Sequence, residues 1–156
     1  MCFMLYAGTT KPIPRKEWSK EAPYLWVRSL VENEEPVRGH FASPEVQYIG
    51  SSSSCGCDFP HAIFQNGYWP EAEFRQEGQD EEYEASCRAN QEALADLLVS
   101  IDENYVELYG IWAGDESKKP LKEEQISLES IRSPGFCLKE GGFYVVEIKP
   151  SLVTDH

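Results

Sequence analysis

The strongest periodic pattern in the chain lies between residues 81 and 101. Apolar residues recur there at helical spacing and form a single stripe, made of Tyr83, Cys87, Leu94, Leu97, Leu98 and Ile101. Asp80 can cap the first turn, where acidic side chains also suit the positive end of a helix. The pattern predicts a helix over residues 81–101 that buries one face. Cys87 lies on the stripe and is therefore predicted to be a buried apolar residue and not a reactive thiol.

Segments with strand character lie on both sides of this helix. Apolar runs or apolar and polar alternation predict strands at residues 2–7, 24–31, 46–51 and 105–112, with a further short strand at 126–131. Gly141 and Gly142 can adopt the positive φ of a tight turn, so segments 136–139 and 143–148 are predicted to form a hairpin. Residues 58–79 and 113–124 have no period, and both are predicted to be irregular.

These elements together predict an α+β fold. An antiparallel or mixed sheet of about five to six strands would carry the one long helix on a face. No unit of strand, helix and parallel strand repeats along the chain, which disfavours a doubly wound sheet. The 156 residues suffice for one core and are too few for two ordinary domains. Residues 1–150 are therefore predicted to be a single globular domain, followed by a frayed tail at 151–156.

Charge and cysteine usage limit the expected partners and compartment. The chain has 14 Lys and Arg against 27 Asp and Glu, and a net charge of −13 opposes binding to nucleic-acid phosphates or anionic membranes. Its first residues do not have the pattern of a secretory signal, and no apolar run approaches the roughly 20 residues that span a bilayer. Five cysteines without framework spacing indicate reduced thiols. We therefore expect a cytoplasmic protein without a nucleic-acid or membrane partner.

The stretch YIGSSSSCGCDF, residues 48–59, contains the side chains best suited to chemistry. Cys55 and Cys57 flank one glycine, so an extended chain would place their α-carbons roughly 6.6 Å apart. That distance is near the upper limit for a disulfide, whereas two thiolates can converge on one soft metal ion such as zinc. Asp58 and His61 follow closely and could add ligands. Cys2 and His40 could join such a site only through the fold.

Three interpretations of this stretch stay open: a metal site, a redox or nucleophilic thiol, and a structural turn. A strong zinc signature would contain a second, separated cysteine pair, which the sequence lacks. The serine run matches neither a nucleophile elbow nor a phosphate-binding loop. No complete set of catalytic residues can be assembled from the sequence, so whether the chain is an enzyme is left open.

Two stretches resemble a family of small, uncharacterised bacterial proteins. The first is Tyr48-Ile49-Gly50-Ser51 followed by Cys55-Gly56-Cys57-Asp58-Phe59, and the second is Trp112-Ala113-Gly114-Asp115-Glu116. Members of that family also begin with a Met-Cys strand and tend to carry a histidine after the Gly-Ser pair, where this chain has Ser52. The resemblance implies a site around the two cysteines without that histidine, and it implies no particular activity.

Trp112, Asp115 and Glu116 form a second candidate site. They lie at and just beyond the end of the predicted strand 105–112, and a carboxylate pair there can bind a cation or act as acid and base if it is partly buried. Adjacent acids in a polar loop are more often simply solvated. Both interpretations are kept.

Acidic residues are concentrated around the start of the predicted helix. Seven of them lie between residues 71 and 84, against the single base Arg75. Glu81 and Glu82, with Trp69 and Phe74 at the edge of this acidic face, could bind a basic protein, as an inhibitor or immunity-type protein does. A solvated helix start is the simpler interpretation.

Overall fold

The computed structural model describes residues 2–17, 25–70 and 80–149 of the chain. Eight strands follow one another in chain order: β1 (Phe3–Thr9), β2 (Trp26–Ser29), β3 (Glu45–Gly50), β4 (His61–Ala62), β5 (Tyr105–Trp112), β6 (Lys122–Ser127), β7 (Leu138–Lys139) and β8 (Gly142–Glu147). The helices are α1 (Asp80–Val99) and the short α2 (Leu128–Arg132), with two 3₁₀ segments at Glu32–His40 and Gly56–Asp58. The predicted tail at 151–156 lies outside the described residues.

Six of the strands form one mixed sheet in the order β2-β3-β1-β5-β8-β6. All neighbours are antiparallel except β6 and β8, which are parallel. β4 and β7 form a separate parallel pair. The predicted α+β class, with a mixed sheet and one long helix, is confirmed.

Helix α1 packs on one face of this sheet. Leu94, Ala95 and Leu98 of the helix are buried in one apolar cluster with Phe3 and Leu5 of β1. Alternate residues of a strand face opposite sides of a sheet, so these odd positions of β1 share the helix side. Cys87 is also fully buried, as its place on the apolar stripe predicts.

The other face of the sheet has a core of its own. Tyr6 of β1 lies in register between Tyr48 of β3 and Tyr109 of β5, and all three rings are buried. The 3₁₀ segment Glu32–His40 contributes Val37 to this second cluster. A buried tyrosine needs a hydrogen-bond partner for its hydroxyl. Tyr6 donates to Glu34, Tyr48 to the carbonyl of Ser54 and Tyr109 to the carbonyl of Lys118, and these bonds hold the segments that carry the acceptors against the sheet.

The predicted hairpin at 136–148 is wrong in its pairing. A turn does exist there, with Gly141 at a φ of 75°. However, β7 pairs with β4, while β8 pairs with β5 and β6. The strands on the two sides of the turn therefore belong to different sheets. The glycine pattern predicts the turn but does not determine which strands pair.

The predicted loop at 113–124 and strand at 126–131 are both partly wrong. β6 begins at Lys122 and ends at Ser127, after which the chain forms α2. The side-chain oxygen of Ser127 accepts a hydrogen bond from the backbone N–H of Ser130 at 3.3 Å and caps this helix. β6 is an edge strand rich in charged residues, so its sequence has no apolar alternation.

Two further segments differ from the prediction in extent. The strand expected at 24–31 is reduced to the four residues of β2, and Val31 is 47% exposed. The irregular segment 58–79 contains the short strand β4, and its residues 71–79 lie outside the described part of the chain.

Candidate metal centre

Three cysteines from two distant parts of the sequence meet at one end of the sheet. Cys2 precedes β1, whereas Cys55 and Cys57 lie between β3 and β4 in residues 51–58, here called the cysteine loop, whose last three residues form the 3₁₀ segment Gly56–Asp58. β1 and β3 are antiparallel with Leu5 opposite Ile49, so the start of one strand lies beside the end of the other. The Sγ atoms of the three residues all lie within 4.8 Å of one another.

The serine run is a hydrogen-bonded turn that returns the chain toward β1. The N–H of Ser54 donates to the carbonyl of Ser51 at 2.8 Å, and the N–H of Ser51 donates to the carbonyl of Cys55 at 2.7 Å. The Ser51 hydroxyl donates to that same carbonyl and accepts from the N–H of Asp58 at 3.3 Å. Ser54 adopts a φ of 75°, and its carbonyl accepts the Tyr48 hydroxyl at 2.6 Å. The serine run therefore forms a hydrogen-bonded turn.

Helix α1 holds the same loop from the other side. The Oδ1 atom of the buried Asn90 accepts from the N–H of Ser52 at 2.8 Å, and its Nδ2 donates to the Ser52 hydroxyl at 2.9 Å. That hydroxyl donates in turn to Asp58 at 2.9 Å. Tyr83 donates from its hydroxyl to the carbonyl of Cys57 at 2.9 Å. The position of the cysteine loop is therefore set by both the sheet and the helix.

Gly56 allows the loop to approach β1 closely. A Cβ atom at this position would lie 2.8 Å from the carbonyl oxygen of Phe3, closer than real Cβ contacts. With glycine there, the backbone N–H of Phe3 donates to the Sγ of Cys57 at 3.3 Å. The spacing Cys-Gly-Cys is thus needed for packing as well as for bringing two thiols together.

The three thiols differ in acidity. Hydrogen bonds from the side chain and backbone of Cys57, and from the Ser53 hydroxyl, lower the pKa of Cys55 to about 5, although burial opposes this. Its Sγ lies 3.6 Å from the Ser53 oxygen. Hydrogen bonding to Cys55, together with burial, raises the pKa of both Cys57 and Cys2. These shifts favour the thiolate of Cys55 over those of Cys2 and Cys57.

His61 and Asp58, the other two predicted ligands, are not in this group of ligand atoms. The His61 ring is 9% exposed and stacks on Phe3, with ring centroids 4.9 Å apart. Its Nδ1 lies 2.8 Å from the carbonyl of Phe59, and because a carbonyl only accepts, Nδ1 carries the proton. Oδ2 of Asp58 accepts the Ser52 hydroxyl. A ligand role for either residue stays a prediction, whereas Cys2 joins Cys55 and Cys57.

Trp112, Asp115 and Glu116 make different contacts in the structure. Trp112 packs edge-on against Phe3, with ring centroids 5.9 Å apart. Asp115 pairs with Lys118 at 3.3 Å near the surface. Glu116 is 5% exposed, and its carboxylate accepts the N–H of Gly114 at 3.1 Å. The two adjacent acids therefore have different partners, and a cation-binding or acid–base role for them stays a prediction.

A buried polar group on the second face of the sheet was missed by the sequence patterns. Arg28 of β2 donates two hydrogen bonds to Glu34, at 2.7 and 3.0 Å, and its guanidinium lies 4.0 Å from the centroid of the Tyr48 ring. The Tyr6 hydroxyl lies 3.3 Å from Glu34 and 3.4 Å from Glu116. Burial opposes ionisation of Glu34, but hydrogen bonds from Arg28 and Val31 hold its pKa below the usual value. We interpret this ion pair as structural, since buried charges need partners.

The residues proposed to bind a basic partner are spread over different environments. Glu81 and Glu82 are exposed in the first turn of α1. Trp69 is partly buried, packs against Phe64 with ring centroids 4.7 Å apart, and donates its Nε1–H to the carbonyl of Glu140 at 2.8 Å. Phe74 lies outside the described residues. A basic protein partner stays a prediction.

Comparison of the chain with protein-family models, with curated proteins and with solved structures found no match. The resemblance of its cysteine stretch to small bacterial proteins therefore stays a prediction. Among the residues that the structure describes, no helix has the length and apolar character needed to cross a membrane.

Proposed function

We propose that Cys2, Cys55 and Cys57 bind one thiophilic metal ion, for which zinc is the best candidate. The observation that carries this proposal is the convergence of three Sγ atoms within 4.8 Å. Zinc–sulfur bonds of about 2.3 Å at tetrahedral angles place sulfurs roughly 3.8 Å apart. No pair of sulfurs would need to close by more than about 1 Å to reach that geometry.

Neighbouring donors favour the thiolate forms that a metal requires. The N–H of Phe3 donates to the sulfur of Cys57, and the Ser53 hydroxyl lies beside the sulfur of Cys55. Groups that hydrogen bond to metal ligands orient them and are a regular part of metal sites. Zinc bound here would hold the start of β1 and the loop after β3 together. It would displace the thiol protons of Cys2 and Cys57, so its affinity should increase with pH.

Elemental analysis of the native protein, purified under reducing conditions without added chelator, tests this proposal. We expect close to one zinc per chain, lost in each of the variants Cys2→Ser, Cys55→Ser and Cys57→Ser. Cys137→Ser is the matched control, because Cys137 is partly buried yet lies outside the sulfur group. Protein without metal that also fails to take up zinc after chelator treatment and refilling would contradict the proposal.

Reversible oxidation is a second candidate, favoured by the same proximity of sulfurs. In this reaction Cys55 and a neighbouring cysteine would form a disulfide, losing two electrons and two protons to an external disulfide that is reduced to two thiols. Mass spectrometry after equilibration with oxidised and reduced glutathione would show a loss of about 2 Da, the mass of two hydrogens, on oxidation. The same loss in Cys55→Ser would contradict a reaction in which Cys55 takes part.

A further inference from the structure

We infer that the metal at the cysteine cluster keeps one coordination position for an exchangeable neutral donor, such as water or an imidazole. This inference depends on the proposed metal site and concerns its fourth ligand. Structural zinc sites are closed by four protein ligands, whereas sites with three protein ligands leave one position to water or substrate. The ligand count at the cluster therefore decides between a purely structural ion and one that can bind something else.

Among the described residues, the ligand atoms that converge are the three sulfurs. The two nearest alternatives in sequence are engaged elsewhere. The His61 ring is fixed between a stacking contact with Phe3 and the hydrogen bond from Nδ1 to Phe59. Asp58 accepts one hydrogen bond from the Ser52 hydroxyl, which Asn90 holds in place. The ligand atoms of both residues lie outside the converging group, so moving the His61 ring to the metal would disturb its stacking on Phe3 and moving Asp58 would break its hydrogen bond to Ser52.

The cluster is also accessible. Cys2, Cys55 and Cys57 are each partly exposed, unlike Cys87 of α1, which is fully buried. Ser53, whose hydroxyl contacts the Cys55 sulfur, is exposed as well. A small molecule or a side chain of another protein can therefore approach the sulfurs from solvent.

The negative charge of the metal centre favours a neutral fourth ligand over an anion. Three thiolates and one divalent cation leave the centre with a net charge of −1. Within the described part of the chain, the hydrogen-bonding groups beside the sulfurs from outside the cluster are a backbone N–H and a hydroxyl, and both are neutral. The chain as a whole carries a net charge of −13. An incoming anion is repelled by this field, whereas water or neutral imidazole is not.

Cobalt substitution allows the ligand in the fourth position to be followed by absorption spectroscopy. The native chain is loaded with one equivalent of Co²⁺, whose visible absorption bands change with ligand type, and is titrated with imidazole and, separately, with azide. We expect imidazole to shift the bands saturably with cobalt retained, and azide to shift them much less. The unliganded spectra of His61→Gln and Asp58→Asn should match that of the parent protein, because neither side chain is a ligand.

The possible failures are distinguishable. A chain that does not bind cobalt would contradict the proposed metal site itself. Three results would overturn the open position while leaving the metal site intact. The spectrum of bound cobalt does not change with imidazole, imidazole removes the cobalt from the protein, or the spectrum changes in His61→Gln before imidazole is added. Equal responses to azide and imidazole would overturn the preference for a neutral donor.

Discussion

Replacing Asn90 with alanine should loosen the cysteine loop from helix α1. The fully buried Asn90 side chain makes three hydrogen bonds, two to Ser52 and one from its Nδ2 to the carbonyl of Ser86 at 2.8 Å. At about 1 kcal/mol for each bond, their loss lowers the free energy of unfolding by about 3 kcal/mol. The higher helix propensity of alanine offsets about 0.5 kcal/mol of this loss. We expect the free energy of unfolding to fall by about 2–3 kcal/mol, measured on metal-free protein by urea denaturation.

The same variant should bind zinc less tightly, because Ser52 precedes the two loop cysteines. Groups that hydrogen bond directly to metal ligands typically contribute about 10- to 100-fold to metal affinity, and we expect a smaller effect from Asn90, which contacts Ser52 and not a ligand. Asn104→Ala is the matched control, since residue 104 is exposed and substitutions at such positions usually change stability by no more than about 0.5 kcal/mol. A loss below about 1 kcal/mol in Asn90→Ala, together with unchanged zinc affinity, would refute the idea that α1 positions this loop.

Two other substitutions test separate parts of the structure. Gly56→Ala should weaken zinc binding and lower the free energy of unfolding by about 1–3 kcal/mol, because its Cβ would lie 2.8 Å from the Phe3 carbonyl. Zinc competition measures the affinity, and urea denaturation measures the stability. Unchanged values of the two would contradict the close approach of the loop to β1. Glu34→Gln should alter the acid dependence of stability, because the pKa of Glu34 is lower in the folded than in the unfolded chain and its ionised form therefore stabilises the fold. This contribution is complete above an unfolded pKa of about 4.3 and is lost as pH falls through the lower folded pKa. Stability of the parent should thus decrease more steeply than that of Glu34→Gln below about pH 4, and parallel curves would contradict the ion pair.

The elements with a clear period were predictable from the sequence. The apolar stripe identified α1 to within two residues at each end, and the apolar runs identified β1, β3 and β5. β6 was missed, because an exposed edge strand with charged side chains leaves no apolar alternation to detect. The turn at Gly141 was predictable, but the partners of β7 and β8 depend on which distant strands meet them.

The candidate site was predictable only in part. Cys55 and Cys57 stand out by their spacing, whereas Cys2 joins them because β1 and β3 are antiparallel in a particular register. His61 is as close in sequence as any ligand in a short motif, yet its ring is held in the aromatic packing around Phe3. Close spacing in the sequence therefore identified Cys55 and Cys57, whereas the approach of Cys2 depends on the long-range pairing of β1 with β3.

X-ray absorption at the zinc edge tests the proposed centre most directly. The native chain loaded with one equivalent of zinc should show three sulfur neighbours at about 2.3 Å and one lighter donor at about 2.0–2.1 Å. Cys137→Ser should give the same spectrum, because that residue lies outside the sulfur group. Two or fewer sulfur neighbours, or zinc that is not retained after gel filtration, would contradict a centre formed by Cys2, Cys55 and Cys57.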